Sequence, residues 1–231
     1  MYGIKYNNKY SWDLGLKVLE RNISTPAKKK VTEEIPFSNV IYDFSFLYGS
    51  QIFEPRKLEY KFFVDEMFKH NLEAIRIVVE NWLYSSNEKT ELRDEVTPGY
   101  HFLAECIEID FEDLKTYGTI KATFEGYPFR IKNEYEGEML WDDFCFLTDI
   151  LQQTTFIINE AREISLINNS IVEVVPKIIA DNSFEIYRNN VKYLIPMGTT
   201  ESTDFKLNTG VNKLTIIGNG NIQFKYKIEV I

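Results

Sequence analysis

Cysteine and histidine occur only twice each in the 231 residues of this chain. Cys106 and Cys145 sit in apolar, strand-like surroundings (ECIEID and DFCFL) without metal-finger or C-x-x-C spacing. Free, buried thiols are the expectation, with a single disulfide as the open alternative. His70 falls in a helical pattern and His101 follows Gly99-Tyr100. Neither has a second histidine four residues away, so both read as structural. The sequence holds no G-x-S-x-G and no phosphate-binding glycine loop. No apolar run approaches the ~20 residues that cross a bilayer, and the N-terminal stretch lacks the apolar core of an export signal. Synthesis in the cytoplasm without membrane insertion is expected. Positive charge is scarce as well: 26 Lys and Arg stand against 35 Asp and Glu, a net charge of −9. Nucleic acid binding needs a basic face, which this balance argues against. The short run Lys28-Lys29-Lys30 reads as a solvated loop.

Carboxylates are plentiful, but their spacing is wrong for paired acid-base work. Asp142-Asp143 beside Trp141 is the most enzyme-like pair, and Glu33-Glu34 is the other. Adjacent residues of a strand point to opposite faces, so neither pair converges on one substrate. The expectation is a protein with no catalytic residues, no metal ligands and no cofactor, and so not an enzyme. Trp12, Trp141 and several tyrosines could stack on sugars, though core or subunit contacts are their commoner use.

What is present is aromatic alternation. In the stretch 31–64, Val40, Tyr42, Phe44, Phe46 and Tyr48 share one parity. Leu58, Tyr60, Phe62 and Val64 share another, opposite Lys57, Glu59 and Lys61. A period of two predicts two strands facing one core, joined by a loop through Gly49-Ser50 and Pro55. Tyr2 to Tyr10 predicts a short strand ending at the turn signal Asn7-Asn8, and a further strand follows to about Ile23. Asp65 caps a predicted helix whose stripe is Phe68, Leu72, Ile75, Val79 and Trp82, ending near Tyr84. Residues 88–99 read as a charged connection closed by Pro98-Gly99, before strands Tyr100–Phe111 and Thr119–Tyr127. The polar segment Lys132–Glu138 is the best boundary, giving an α+β domain over 1–134 and a second domain over 135–231.

Beyond that boundary short strands recur. They are predicted at Phe144–Leu147, Thr155–Ile158, Glu163–Ile167, Ile171–Ile179, Phe184–Tyr187 and Val191–Ile195, then at Phe205–Leu207, Leu214–Ile217 and Ile222–Ile231. Asn189-Asn190 and Gly218-Asn219-Gly220 are among the turns between them. This is the pattern of an all-β sandwich or jelly roll.

Several of these stretches, taken in order, resemble one family. SWDLGLKV, then IPF, YDFS, a YG pair and PRKLEYKFF are similar to the N-terminal domain of phage distal tail (Dit) proteins of siphophages and prophages. GTIKATFEGYPFRI resembles the closing strand of that domain, and WDDFCFLTDILQQTTFII the opening of the second. NNSIVEVVPKI and NTGVNKLTIIGNGNIQFKYKIEV resemble its galectin-like C-terminal sandwich. The chain departs from the pattern at Phe37-Ser38-Asn39, where a glycine-rich turn is common, and at Ser170, where a glycine is common. The resemblance implies a structural virion protein at the tail tip. It implies a homohexameric ring built by the N-terminal domains, with partners in the tail tube protein, the tail-associated fibre or lysin protein and the tape measure protein. The reading from residues alone leaves one alternative: a carbohydrate-binding module with an accessory α+β domain.

Overall fold

A computed structural model describes residues 2–45, 47, 51–64, 72–113, 117–138 and 144–231. Contacts divide the chain into two compact units, Met1–Arg130 with Ile231, and Ile131–Val230. The chain is mostly β, with antiparallel sheets and a helix.

The first unit is organised around one open antiparallel sheet. Its strands are β1 (Ile4–Tyr6), β2 (Lys9–Tyr10), β3 (Leu16–Ile23), β6 (Arg56–Val64), β7 (Thr90–Asp94), β8 (Tyr100–Asp113) and β9 (Gly118–Gly126). Their spatial order is β2-β1-β7-β8-β9-β6-β3. Asn7 and Asn8 both take positive φ, which closes the β1–β2 hairpin at the turn expected there. In β3 the apolar parity changes at Leu19. The structure shows why: the register with β6 shifts between Val18 and Glu20, and Leu19 is left exposed. Strand β6 fulfils its alternation, with Leu58, Tyr60, Phe62 and Val64 wholly buried. Tyr6 and Tyr60 each meet Phe124 edge-on, at 5.2 and 6.0 Å between ring centres. Helix α1 (Leu72–Leu83) covers this core with Val79, Trp82 and Leu83. Trp82 Nε1 donates to the Tyr6 carbonyl at 2.8 Å, which satisfies its polar edge. The expected cap Asp65, Phe68 and His70 lie outside the described residues.

Two expectations for this unit are corrected. The run Val40–Tyr48 does not form a long strand beside β6. Among its described residues only Ile41–Asp43 (β5) forms a strand, and it pairs with Thr32–Glu34 (β4) in a separate two-stranded ribbon. Phe46, Tyr48 and Gly49-Ser50 lie outside the described residues. The charged stretch 88–99 is not all connection, since it contains β7. Only Leu92 and Asp94 of that strand are buried, too few apolar positions to signal a strand by periodicity.

The second unit is built on a six-stranded sheet. It contains β11 (Thr155–Asn168), β12 (Lys177–Ala180), β13 (Phe184–Arg188), β14 (Val191–Ile195), β15 (Gly198–Thr200) and β16 (Gly210–Lys225). β11 pairs with β16 along its entire length, from Thr155 opposite Gln223 to Asn168 opposite Gly210. One half of β16 pairs on its other side with β13 and the other half with β12. Ile186, Leu214 and Ile216 from one half, and Ile178, Ile222 and Phe224 from the other, belong to one core. The short segments Arg130–Lys132 (β10) and Glu229–Val230 (β17) pair with each other.

Here too the sequence reading needs correction. Thr155–Ile158 and Glu163–Ile167 are one strand. Gly218-Asn219-Gly220 is no turn but the middle of β16. The two glycines take φ of +150° and +134°, so they bend an unbroken strand. A Cβ on Gly218 would lie 2.6 Å from Phe184 Cδ1, and one on Gly220 2.2 Å from Asp181 Oδ1. Phe144–Leu147 is not a strand. Its backbone turns, with Thr148 and Asp149 N–H both donating to the Cys145 carbonyl. Ile171–Ile179 is extended only from Lys177, and Leu207 makes an isolated bridge to Val174. The predicted strand 222–231 is broken after Lys225. Ser170, where a glycine was expected, is buried and useful: its Oγ accepts from Glu229 N–H at 2.9 Å.

Candidate interaction surface

The ribbon β4–β5 stands out from the rest of the first unit, because all six of its strand residues are exposed. The stem leading to it is zipped by backbone bonds. Lys29 N–H donates to the Ile52 carbonyl and Glu54 N–H to the Ala27 carbonyl, both at 2.8 Å. At its base Lys30 Nζ meets Asp43 Oδ2 at 2.8 Å, and Ser45 N–H donates to Asp43 Oδ1 at 2.9 Å. Lys30 first, then Ser45, holds the Asp43 carboxyl well below the usual range. Above this clasp Val31, Ile35, Phe37, Val40, Ile41 and Tyr42 are all exposed. Both faces therefore carry apolar side chains beside Glu33 and Glu34, and among the described residues each strand keeps one unpaired edge. Phe37, in the turn between the strands, takes φ +63° and is fully exposed. A bulky residue in that region is strained by ~1–2 kcal/mol. Apolar area of this kind on an exposed ribbon marks a surface that something else covers.

The remaining polar clusters hold the fold together. Asp94 is buried and fully satisfied: Oδ1 accepts from Tyr2 Oη (3.1 Å) and Val96 N–H (2.9 Å), and Oδ2 from Tyr60 Oη (2.8 Å) and Arg21 Nε (2.5 Å). Burial, then the Asp94 charge, raises the Tyr60 hydroxyl well above its ordinary value. This network ties β3, β6 and β7 together. Sequence reasoning missed it, since β7 itself gave little signal. On the solvent face Glu59 accepts from Lys121 (2.9 Å), Lys57 (3.0 Å) and Asn22 (3.0 Å), which pulls its carboxyl down to about 2.

The residues weighed for chemistry are scattered. His101 is buried in β8, and Trp12 stacks on Tyr10 with ring centres 4.3 Å apart. Glu33 and Glu34 lie exposed in β4. Trp141, Asp142 and Asp143 lie outside the described residues. Both cysteines are free, but where both were expected to be buried Cys106 is half-buried and Cys145 exposed. The 144–149 neighbourhood of Cys145 turns where the strand Phe144–Leu147 was predicted. Burial pushes the Cys106 thiol up to about 12, the wrong direction for a nucleophile. Among the described residues no three His, Cys, Asp or Glu side chains come together as metal ligands, and no helix is long and apolar enough to cross a membrane.

No family model matches the sequence, and no curated protein matches it. Solved structures do. The crystal structure of the Dit protein of phage SPP1, described as a paradigm of the hub adsorption apparatus in phages infecting Gram-positive bacteria, superposes with a TM-score of 0.70 at 13% identity, over 99% of each chain. Two structures of the phage P2 baseplate in its activated conformation, with Ca and with Sr, match at TM-scores of 0.46 and 0.41 and 10% identity. They cover 100% and 99% of this chain and 97% of theirs. The chain thus has the fold of a phage Dit protein.

Proposed function

We propose that this chain is a structural protein of a phage tail tip that works through its surfaces. In this reading residues 1–134 form the ring-building domain, and residues 135–231 are the outward, galectin-like sandwich. Six copies close into a ring that joins the tail tube protein to the tail-associated fibre or lysin protein, with the tape measure protein in the channel. The observation that carries the reading is the β4–β5 ribbon, which offers apolar surface on both faces and a strained, fully exposed Phe37. A head-to-tail contact between identical copies closes under rotational symmetry, and the ribbon gives each copy something to insert into its neighbour. The sugar-binding alternative gains nothing from Phe156, Phe184, Phe205, Phe224 and Tyr226 of the second unit, which are all buried, and keeps the exposed Phe146.

The test pairs negative-stain imaging and solution mass of the purified chain with those of Phe37→Gly. Glycine relieves the positive φ and removes the apolar side chain, so the variant should fold at least as well and assemble worse. Closed rings for the parent chain, alone or on purified tail tubes, are expected. A chain that stays monomeric and also fails to cap tubes overturns the proposal.

A further inference from the structure

One charged residue breaks the alternation of β6. Arg56 has the parity of Leu58, Tyr60, Phe62 and Val64, so it points into the core, and it is 1% exposed. Among the described residues none of its three guanidinium nitrogens has a hydrogen-bond partner. Its nearest notable neighbours are Phe102 and another arginine. Arg56 Cζ lies 5.5 Å from the centre of the Phe102 ring, and Arg130 Cζ lies 5.8 Å from the same ring. Arg130 donates through Nη1 to the Ile231 carbonyl at 3.2 Å, while its buried Nε is also without a partner. The buried carboxylate of this unit, Asp94, is already committed to Arg21, Tyr2, Tyr60 and Val96 N–H.

Two guanidinium groups thus lie close to one aromatic ring, with no described carboxylate on Arg56. An unpaired guanidinium withdrawn from water is among the costliest arrangements in a fold. Stacking on Phe102 offsets only part of that cost. Burial first, and repulsion from Arg130 second, draw Arg56 down to about 10, a value at which it still carries its charge at neutral pH. What Arg56 lacks, among the described residues, is a negatively charged partner.

We propose that Arg56 and Arg130 form an internal receptor for a small inorganic oxyanion of the phosphate or sulfate class. Planar guanidinium forks suit such ions, since each can give two parallel hydrogen bonds to two oxygens. The enclosure of Arg56 favours a small ion over a carboxylate from another macromolecule: a side chain from outside could not reach its nitrogens without opening the fold. The anion acts as a structural part of the first unit, and the inference stands independently of any role in a tail.

The test is thermal unfolding of the full chain titrated with phosphate, sulfate or chloride at constant ionic strength, made up with gluconate. A site predicts a response to phosphate and sulfate that follows saturable binding, that is, logarithmic in free anion above the dissociation constant, with Tm rising roughly 3–5 °C for each tenfold increase. General exclusion of these ions also stabilises proteins, but without saturation and equally in any variant. Arg56→Met should abolish the saturable part, and Arg130→Met should weaken it. If Arg56→Met does not fold, the parent titration and Arg130→Met still decide. Stabilisation indifferent to anion identity in the parent chain overturns the proposal. So does a saturable response that survives unchanged in the variants, or an Arg56→Met chain that is more stable than its parent at every anion concentration.

Discussion

Strand β6 and the ribbon strand β5 come from one stretch of alternating aromatics, yet one is buried and the other is not. In β6 the two parities differ: Leu58, Tyr60, Phe62 and Val64 oppose Lys57, Glu59 and Lys61. A strand of that kind needs one core and tolerates water behind it. Around β5 both parities carry apolar side chains, Val40, Tyr42 and Phe44 on one and Ile41 and Leu47, with Asp43 and Ser45 between them, on the other. Such a strand needs cover on both sides, and this chain supplies neither, so all of these apolar residues remain exposed. Alternation reports that a segment is extended. The contrast between its two faces reports how many partners it needs.

The comparison can be broken or sharpened by experiment. The largest effect is expected at Phe62→Ala, which empties a fully buried site and should cost ~3–5 kcal/mol in denaturant unfolding. A loss below about 1 kcal/mol would mean that β6 is not the core strand described here. Next comes Gly220→Ala, the test of the other long alternating strand, β16. It forces a Cβ against Asp181 at φ +134°, and it disturbs the bond from Asn221 N–H to Asp181 Oδ1 at 2.7 Å. A cost of ~2–3 kcal/mol is expected; a neutral variant would mean the strand turns as its sequence suggested.

A smaller effect separates β6 from the ribbon by pH. The Tyr60 hydroxyl is raised in the folded state by burial and Asp94. Its contribution is therefore complete below pH ~10 and is lost as pH rises above the unfolded value, by up to ~1.4 kcal/mol per pH unit. Tyr60→Phe should make alkaline destabilisation shallower without abolishing it, because Tyr2 and Tyr226 are raised too. An unchanged slope in alkaline denaturation curves would remove Tyr60 from that role. The smallest effect belongs to the ribbon: Tyr42→Ala should change the stability of the isolated chain by no more than ~0.5 kcal/mol, as exposed positions do. A large loss would show that the ribbon packs within its own chain.

Much of the fold was legible. The β6 alternation, the helical stripe ending in Val79 and Trp82, the turn at Asn7-Asn8 and the parity change at Leu19 all follow from one residue and its neighbours. What escaped depends on distant partners. Leu92 and Asp94 of β7 are fixed by Tyr6 and Tyr60, which local pattern does not register. Gly218 and Gly220 look like a turn because glycines with a polar residue usually make one; only the unbroken register with β11 shows them as a bend. The candidate surface was half legible. The aromatics of the ribbon were conspicuous, but they read as core because apolar alternation is blind to whether the covering surface lies in the same chain. Arg56 was conspicuous in the proline-arginine pair, yet only the structure shows it without a partner.

The β11–β16 pair also bears on how the second unit comes to be folded. Its nearest rung joins Asn168 to Gly210, and every other rung closes a longer loop. Chain entropy opposes such closure until local structure has shortened the search. The β13–β14 hairpin is local, with Asn189 and Asn190 preset at positive φ, so it is the natural early event. The long ladder then forms late. On this hypothesis, substitutions in the hairpin should slow refolding, and those along the ladder should chiefly hasten unfolding; the reverse pattern in stopped-flow measurements would reject the order. The chain would thus complete its longest strand pair only after its shortest, with edges of β11 and β16 open to other chains in the interval.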